Sequence, residues 1–150
     1  MLERLRSIVQ KVNAARDLQS ALDIIVRKVR EALDTQVCSV FLLDSDINAH
    51  VLMASDGLNK ESIGHVSLEA GEGLVGLVAK HAEPINLQDA SLHPSFHYLK
   101  DTGEELFHSF LGVPIIHHRS VLGVLVVQHE ERRRFDESEE AFLITLSAQL

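Results

Sequence analysis

The sequence predicts an α+β domain in which helices cover both faces of a central antiparallel β-sheet. Near both ends of the chain, apolar residues recur at spacings of three and four, which is typical of amphipathic helices. Between the ends lie two pairs of β-branched, apolar runs, and a short polar segment joins each pair. These runs are apolar at nearly every position, so both faces of the sheet must be covered.

Two helices open the chain. The first follows the apolar stripe from Leu2 to Val12. The second begins after Asp17, whose side chain is suited to capping a helix N-terminus, and extends to Leu33. Residues 1–34 are therefore predicted to lie as helices on one face of the sheet.

Four strands are predicted as two hairpins. Residues 37–44 and 50–55 form the first, because a turn rich in Asp, Ser and Asn separates them. Residues 109–116 and 121–128 form the second. Pro114 has no N–H group to donate, so we expect it at a sheet edge or at a bulge.

A final helix is predicted over residues 136–150, where Asp136 and Glu139 have the spacing of a capping box. The helical pattern meets no stop signal, which indicates a fragment of a longer protein. We expect the helices of residues 1–34 and 136–150 to share one face and to carry signals or dimer contacts. The other face is left to a helix after Gly73 and to a long irregular segment, residues 88–108, expected to form a lid.

The segment AGEGLVG, residues 70–76, has the G-x-G-x-x-G spacing of nucleotide-phosphate loops. Glu72 would repel a phosphate inside such a loop, and the predicted hairpins do not fit a doubly wound sheet. The favoured interpretation is structural: Gly71 and Gly73 permit a tight turn, and Gly76 allows the helix to approach the sheet closely.

Composition excludes several classes of protein. The chain has 150 residues, 45% of them apolar, which fits one globular domain. No apolar stretch is long enough to cross a membrane, and a net charge of −8 disfavours binding to nucleic acid or anionic membranes. The single cysteine, Cys38, cannot form an internal disulfide, and no signal peptide is evident. These features predict a cytoplasmic location.

No catalytic or metal-binding pattern is evident. Nine histidines suggest a metal site, but Pro94 interrupts the helix that the pair His93 and His97 would need. His117 and His118 are adjacent in a predicted turn, so their side chains should diverge. We therefore predict no catalytic residue, metal ligand or cofactor for this chain.

Aromatic side chains cluster around the lid. Four of the seven, Phe96, Tyr98, Phe107 and Phe110, lie between residues 96 and 110. They either anchor the lid to the sheet or line a small-molecule cavity, and the pattern supports both interpretations equally. The candidate pocket residues are Ser39, Phe41, Gly73, Leu74, Asn86, Asp89, Phe96, Tyr98, Ser109 and Phe110.

Several segments resemble a GAF domain, a small-ligand sensor module with an antiparallel sheet between helices. They are GEGLVGLVAKHAEPINLQDA, SFLGVPIIHHRSVLGVLVVQ and the final helix. Three segments further resemble the N-terminal sensor domain of the nitrogen-branch enzyme I family: VCSVFLLD, DGLNKESIGHVSLEAGEGLVGLVA and RRFDESEEAFLITLSAQL. Those enzymes are the phosphoenolpyruvate–protein phosphotransferases of the nitrogen phosphotransferase system. The resemblance implies a single GAF domain over residues 1–150.

The resemblance also implies a function. Enzymes of this family phosphorylate themselves from phosphoenolpyruvate with magnesium and pass the phosphoryl group to a small phosphocarrier protein. Their reacting histidine lies in domains absent from this chain, so the chain would be regulatory and not catalytic. It would report nitrogen status through glutamine and 2-oxoglutarate, and we expect a homodimer formed through the terminal helices.

The sequence leaves three alternatives. The domain would be a dimerisation module if its own side chains fill the cavity. Some GAF domains reduce methionine sulfoxide, but they use several cysteines, whereas this chain has only Cys38. Cyclic-nucleotide binding is disfavoured by Glu72 and by the lack of basic residues near the lid.

Overall fold

A computed structural model of the protein describes residues 2–69, 71–94 and 107–149. The helices are α1 (Leu2–Asn13), α2 (Leu18–Leu33), α3 (Gly73–His81) and α4 (Glu137–Ala148). The strands are β1 (Val37–Asp44), β2 (Ala49–Asp56), β3 (Ser67–Glu69), β4 (Ile85–Leu87), β5 (Ser109–His117) and β6 (Ser120–His129). Short 3-10 turns occupy Lys60–Ser62 and Ala90–Leu92.

The strands form one six-stranded antiparallel sheet in the order β3-β2-β1-β6-β5-β4. Both predicted hairpins, β1–β2 and β5–β6, are present, and the pairing of β1 with β6 joins them at the centre. The short strands β3 and β4 extend the sheet at its two edges. The antiparallel α+β prediction is confirmed.

Helices cover both faces of the sheet, as predicted. α1, α2 and α4 share one apolar core with the sheet, and α3 shares a second core with the opposite face. The apolar stripe of α1 is used inside the domain: Ile8 is buried, and Leu5, Val9 and Val12 pack against the first core. The stripe that suggested a dimer contact is therefore occupied by contacts within the chain.

The predicted helix caps are both present. The Asp17 carboxylate accepts a hydrogen bond from the Ser20 N–H at 2.8 Å. At α4, the Asp136 carboxylate accepts from the Glu139 N–H at 2.8 Å, and the Glu139 carboxylate accepts from the Asp136 N–H at 2.9 Å. These reciprocal bonds form a capping box and fix where α4 starts.

The glycine-rich turn is explained by backbone geometry. Gly71 and Gly73 have φ values of 81° and 69°, which residues other than glycine rarely adopt. A Cβ atom at Gly76 would lie 2.4 Å from the Gly71 carbonyl carbon. Gly76 thus permits close contact between α3 and its own preceding turn, where the sequence had suggested close contact with the sheet.

Pro114 was predicted to lie at a sheet edge or a bulge, and it lies in the part of β5 that has no partner strand on one side. β4 pairs with β5 only from Phe110 to Gly112, so Pro114 is beyond the residues that have a partner on that side. The β5–β6 register then shifts between Ile115 and Ile116. A residue without an N–H group is tolerated there because the second ladder has ended.

Candidate functional site

The α3 face of the sheet carries some of the predicted pocket residues. Phe41, Leu74 and Phe110 are all buried in the core between α3 and the sheet. They come from β1, α3 and β5, so the tertiary structure brings together residues far apart in sequence. In the described part of the chain they form the apolar floor on which the 88–108 segment begins and ends.

Ser39 lies on the same face, between Val37 and Phe41 of β1, and is completely buried. Its Oγ lies 2.9 Å from Oγ of Ser55 on β2, and either hydroxyl could donate. Ser55 Oγ also accepts a 3.4 Å bond from the Leu58 N–H. The Ser39 hydroxyl therefore satisfies its hydrogen bonding within the protein.

Asn86 faces the opposite side of the sheet from the predicted pocket. Its Nδ2 donates to the Phe135 carbonyl at 2.8 Å and to the Glu140 carboxylate at 3.2 Å. Its Oδ1 accepts from the Phe135 N–H at 3.1 Å. Side chains alternate along β4, so when Ile85 and Leu87 pack toward α3, Asn86 must point toward α4. Asn86 holds the segment before α4 and does not line the α3 face.

Ser109 stabilises the start of the β5–β6 hairpin. It is 1% exposed, and its hydroxyl donates to the His129 carbonyl at 3.2 Å. Gly73 begins α3 directly after the glycine turn. Phe96 and Tyr98, the remaining aromatic candidates, lie outside the described residues.

Asp89 is the centre of a polar cluster near the start of the predicted lid, residues 88–108, of which residues 95–106 lie outside the described residues. Its carboxylate accepts hydrogen bonds from the Ser91 hydroxyl at 2.6 Å, the Ser91 N–H at 3.1 Å and Nε of Arg132 at 2.9 Å. The side chain is 11% exposed, whereas that of Arg132 is 61% exposed. The bond to Arg132 connects the first lid residues to the segment between β6 and α4.

These donors lower the pKa of Asp89 to about 2. The Ser91 hydroxyl makes the largest contribution and Arg132 the next, because both favour the charged carboxylate. Asp89 is therefore ionised throughout the physiological pH range, and its hydrogen bonds with Ser91 and Arg132 are charge-assisted.

His108 completes this cluster from the far end of the lid. Its carbonyl accepts from the Ala90 N–H at 2.6 Å, which brings the two ends of the lid together. Its Nδ1 lies 3.6 Å from Asp89 Oδ1, too far for a hydrogen bond, and has no partner although it is buried. Sequence analysis missed His108 and Arg132, because only the fold brings them to Asp89.

The described residues include the cysteine Cys38 and several histidine and carboxylate side chains. None of them form a group of three or more metal-ligating side chains. Cys38 is fully buried, and burial, with the nearby Asp56 charge, raises the pKa of its thiol. Within residues 2–69, 71–94 and 107–149, no helix is both long and apolar enough to span a membrane.

Known proteins closely match this chain. A sequence profile of the GAF domain family matches residues 17–150. The phosphoenolpyruvate-dependent phosphotransferase system protein of Escherichia coli (strain K12) is 55% identical over 150 residues, or 100% of this chain and 20% of that protein. The chain therefore spans about a fifth of that relative's length.

Two solved structures are also similar. The GAF domain from a phosphoenolpyruvate-protein phosphotransferase of Coxiella burnetii superposes with a TM-score of 0.93 at 48% identity. That alignment covers 98% of this chain and 88% of the other. The GAF domain from the Acinetobacter phosphoenolpyruvate-protein phosphotransferase gives a TM-score of 0.89 at 48% identity, over 99% and 88% of the two chains. With its family profile, sequence identity and helix-covered antiparallel sheet in agreement, this chain belongs to the GAF domain family.

Proposed function

We propose that this chain is the regulatory, small-molecule-sensing GAF domain of a phosphoenolpyruvate–protein phosphotransferase. Its identity of 55% and 48% to proteins of that description supports the parent enzyme. In this proposal the longer protein phosphorylates itself from phosphoenolpyruvate with magnesium and transfers the phosphoryl group to a cytoplasmic phosphocarrier protein. The GAF domain adjusts the rate of that reaction.

One observation carries the regulatory role: the lid base is bonded to the segment that leads into α4. Asp89 accepts from Arg132, and Asn86, three residues earlier, holds Phe135 from the other side of the sheet. A ligand that displaced the lid would move Asp89 and with it the connection before α4. α4 is in turn fixed at its start by the capping box, so a change at the lid is passed to the helix as a rigid unit.

We propose glutamine and 2-oxoglutarate as the opposing effectors. Both carry a carboxylate, which needs a cation or backbone N–H donors in a chain of net charge −8. The largely exposed Arg132, which is bonded to Asp89, and the N-terminus of α3 at Gly73 are two described groups with that chemistry. To regulate, each effector must bind one lid position better than the other, with a coupling of about 1–3 kcal/mol.

The alternative is a dimerisation module that binds no ligand. It is favoured by the packing of the α3 face, where several side chains have no exposed surface and fill the described core themselves. They are Val37, Leu52, Val78 and Val124. The two functions differ in one measurable property, which is whether a metabolite binds.

The test combines binding with activity. Calorimetry with glutamine and with 2-oxoglutarate on this chain measures binding, and autophosphorylation of the longer enzyme measures the response. We expect binding at millimolar or lower concentration and opposite effects on autophosphorylation. Arg132→Ala should reduce the response, whereas Arg134→Ala, an exposed residue of the same segment, should not. Absence of binding by both metabolites would refute sensing and favour the dimerisation module.

A further inference from the structure

His50 is a buried polar residue that the fold leaves unsatisfied. It lies on β2 and is 4% exposed, and its Nδ1 is enclosed without a hydrogen-bond partner. Its cross-strand neighbours are apolar, Leu43 on β1 and Leu68 on β3. A buried polar atom without a partner destabilises a fold, so its presence needs an explanation outside packing.

Burial also sets the charge state of this ring. It lowers the pKa of His50 below the ordinary value, which favours the neutral imidazole with a single N–H. Nδ1 is the ring nitrogen that is enclosed, so Nε2 is the atom through which the ring can reach a bound molecule. A neutral ring protonated at Nε2 would donate one hydrogen bond outward.

His50 lines a cleft with a volume of about 410 Å³ between the sheet and α3. Lys80 on α3 and Asn48, at the end of the β1–β2 turn, line it as well, and both are exposed. Leu43 and Val121 supply an apolar part of the wall. None of the lining residues is acidic, which is unusual in a chain of net charge −8.

The cleft lies at the opposite end of the α3 face from the lid. His50 pairs with Leu43 next to the β1–β2 turn, whereas Asp89 follows β4, whose Leu87 pairs with Phe110 at the start of β5. A ligand in the cleft would therefore occupy a site separate from the lid base.

We propose that this cleft binds a small carboxylate anion with a short apolar chain. The Lys80 ammonium would pair with the carboxylate, and the His50 ring and the Asn48 amide would donate hydrogen bonds to it. The apolar chain would contact Leu43 and Val121. Lys80 alone would be explained by its position in the last turn of α3, where a cation favours the helix dipole. His50, which is 4% exposed, lines the same cleft, and a buried imidazole beside a lysine in a cleft without acidic side chains points to an anionic ligand.

The experiment is an NMR titration of ¹⁵N-labelled protein with butyrate, observing the His50 ring nitrogens and the backbone amides. Butanol and butylamine serve as neutral and cationic probes of the same length. We expect His50 and residues around the cleft to shift at millimolar butyrate, with weaker responses to the two other probes. Lys80→Ala should weaken butyrate binding by about tenfold, because it removes a charged hydrogen-bond donor. Lys60→Ala, which changes a lysine outside the cleft, should leave binding unchanged.

Two results would overturn the proposal. One is an unchanged His50 spectrum in saturating butyrate, and the other is equal butyrate affinity in Lys80→Ala and the original protein. The amide spectrum of each variant reports whether it is folded, and Lys80 is exposed, so its replacement should preserve the fold. His50→Gln gives a second check, since a side chain with a different donor position should also weaken binding.

Discussion

The two ends of the α3 face use their polar side chains in opposite ways. At the lid base, the Asp89 carboxylate accepts hydrogen bonds from Ser91 and Arg132, although Nδ1 of the neighbouring His108 is buried without a partner. At the hairpin end, His50 has a buried nitrogen without a partner, and it lines an open cleft with Lys80. The carboxylate at the lid base connects the two segments whose donors it accepts, whereas the cleft at the hairpin end leaves space for a ligand beside Lys80.

Asn86→Ala is expected to cause the largest loss of stability among the variants that test this comparison. This side chain makes two hydrogen bonds with Phe135, before α4, and one with Glu140 of α4, so the change should lower the free energy of unfolding by about 2 kcal/mol. Urea unfolding measures the loss. Asn13→Ala, at the exposed end of α1, is the control and should be nearly neutral. A loss no greater than that of the control would mean that Asn86 does not tether α4.

His50→Leu should stabilise the protein by about 1 kcal/mol, because it removes an unsatisfied buried nitrogen while keeping a side chain of similar size. The histidine has a pKa lower in the folded than in the unfolded state, so the unfolded chain binds more protons. The stability linked to the neutral His50 ring is therefore fully present above about pH 6.5, and it is lost as the pH falls through the pKa of His50 in the folded state. Lys80 is the charged group that lines the same cleft.

Thermal unfolding of His50→Leu and the original protein at several pH values between about 7 and 5 tests this expectation. The stability difference between the two proteins should grow in favour of the variant as the pH falls. A constant difference would show that His50 titrates normally in the folded state.

Asp89→Asn should destabilise the protein near neutral pH, since the amide cannot accept the same charge-assisted bonds from Ser91 and Arg132. The folded pKa of about 2 lies below the ordinary value of 3.8, so the carboxylate contributes stability above about pH 4. That contribution is lost as the pH falls toward the folded pKa. The unfolding midpoints of variant and original protein should therefore converge in acid. Asp46→Asn, in the exposed β1–β2 turn, is the control and should change the unfolding midpoint little near neutral pH.

The smallest effect on stability is expected from Lys80→Ala. Lys80 is exposed, so we expect a change within about 0.5 kcal/mol by urea unfolding. A larger loss would indicate a structural role for Lys80 and would weaken its assignment to ligand binding. A Lys80→Ala variant that is as stable as the original protein but binds butyrate more weakly would show that Lys80 serves binding at the hairpin end and not the fold.

Much of the fold could be predicted because its signals are local. The helix that starts after Asp17 and the capping box of Asp136 and Glu139 depend on residues within one turn. The two hairpins follow from long apolar runs with short polar connections. β3 and β4 are each three residues long, too short to show a period, so the sheet edges were not predicted.

The candidate site could be predicted only in part. Phe41, Leu74 and Phe110, which were predicted to line a pocket, lie together in the core beneath α3, as their apolar character allows, and their role as pocket residues stays a prediction. Asn86 was assigned to the wrong face, because its orientation depends on a partner, Phe135, that is 49 residues away. No local pattern identified His50 as a buried, unsatisfied residue.

The sequence by itself determined the α+β class, the helix starts, the hairpins and the resemblance to a GAF domain, since each depends on residues that are neighbours along the chain. Only the tertiary structure decided which polar groups are satisfied. Asp89 meets Arg132, Asn86 meets Phe135, and His50 meets no partner, after strands distant in sequence have paired. Hydrogen bonds require atoms to lie within about 3 Å, and that proximity is set by the packed fold and not by sequence spacing.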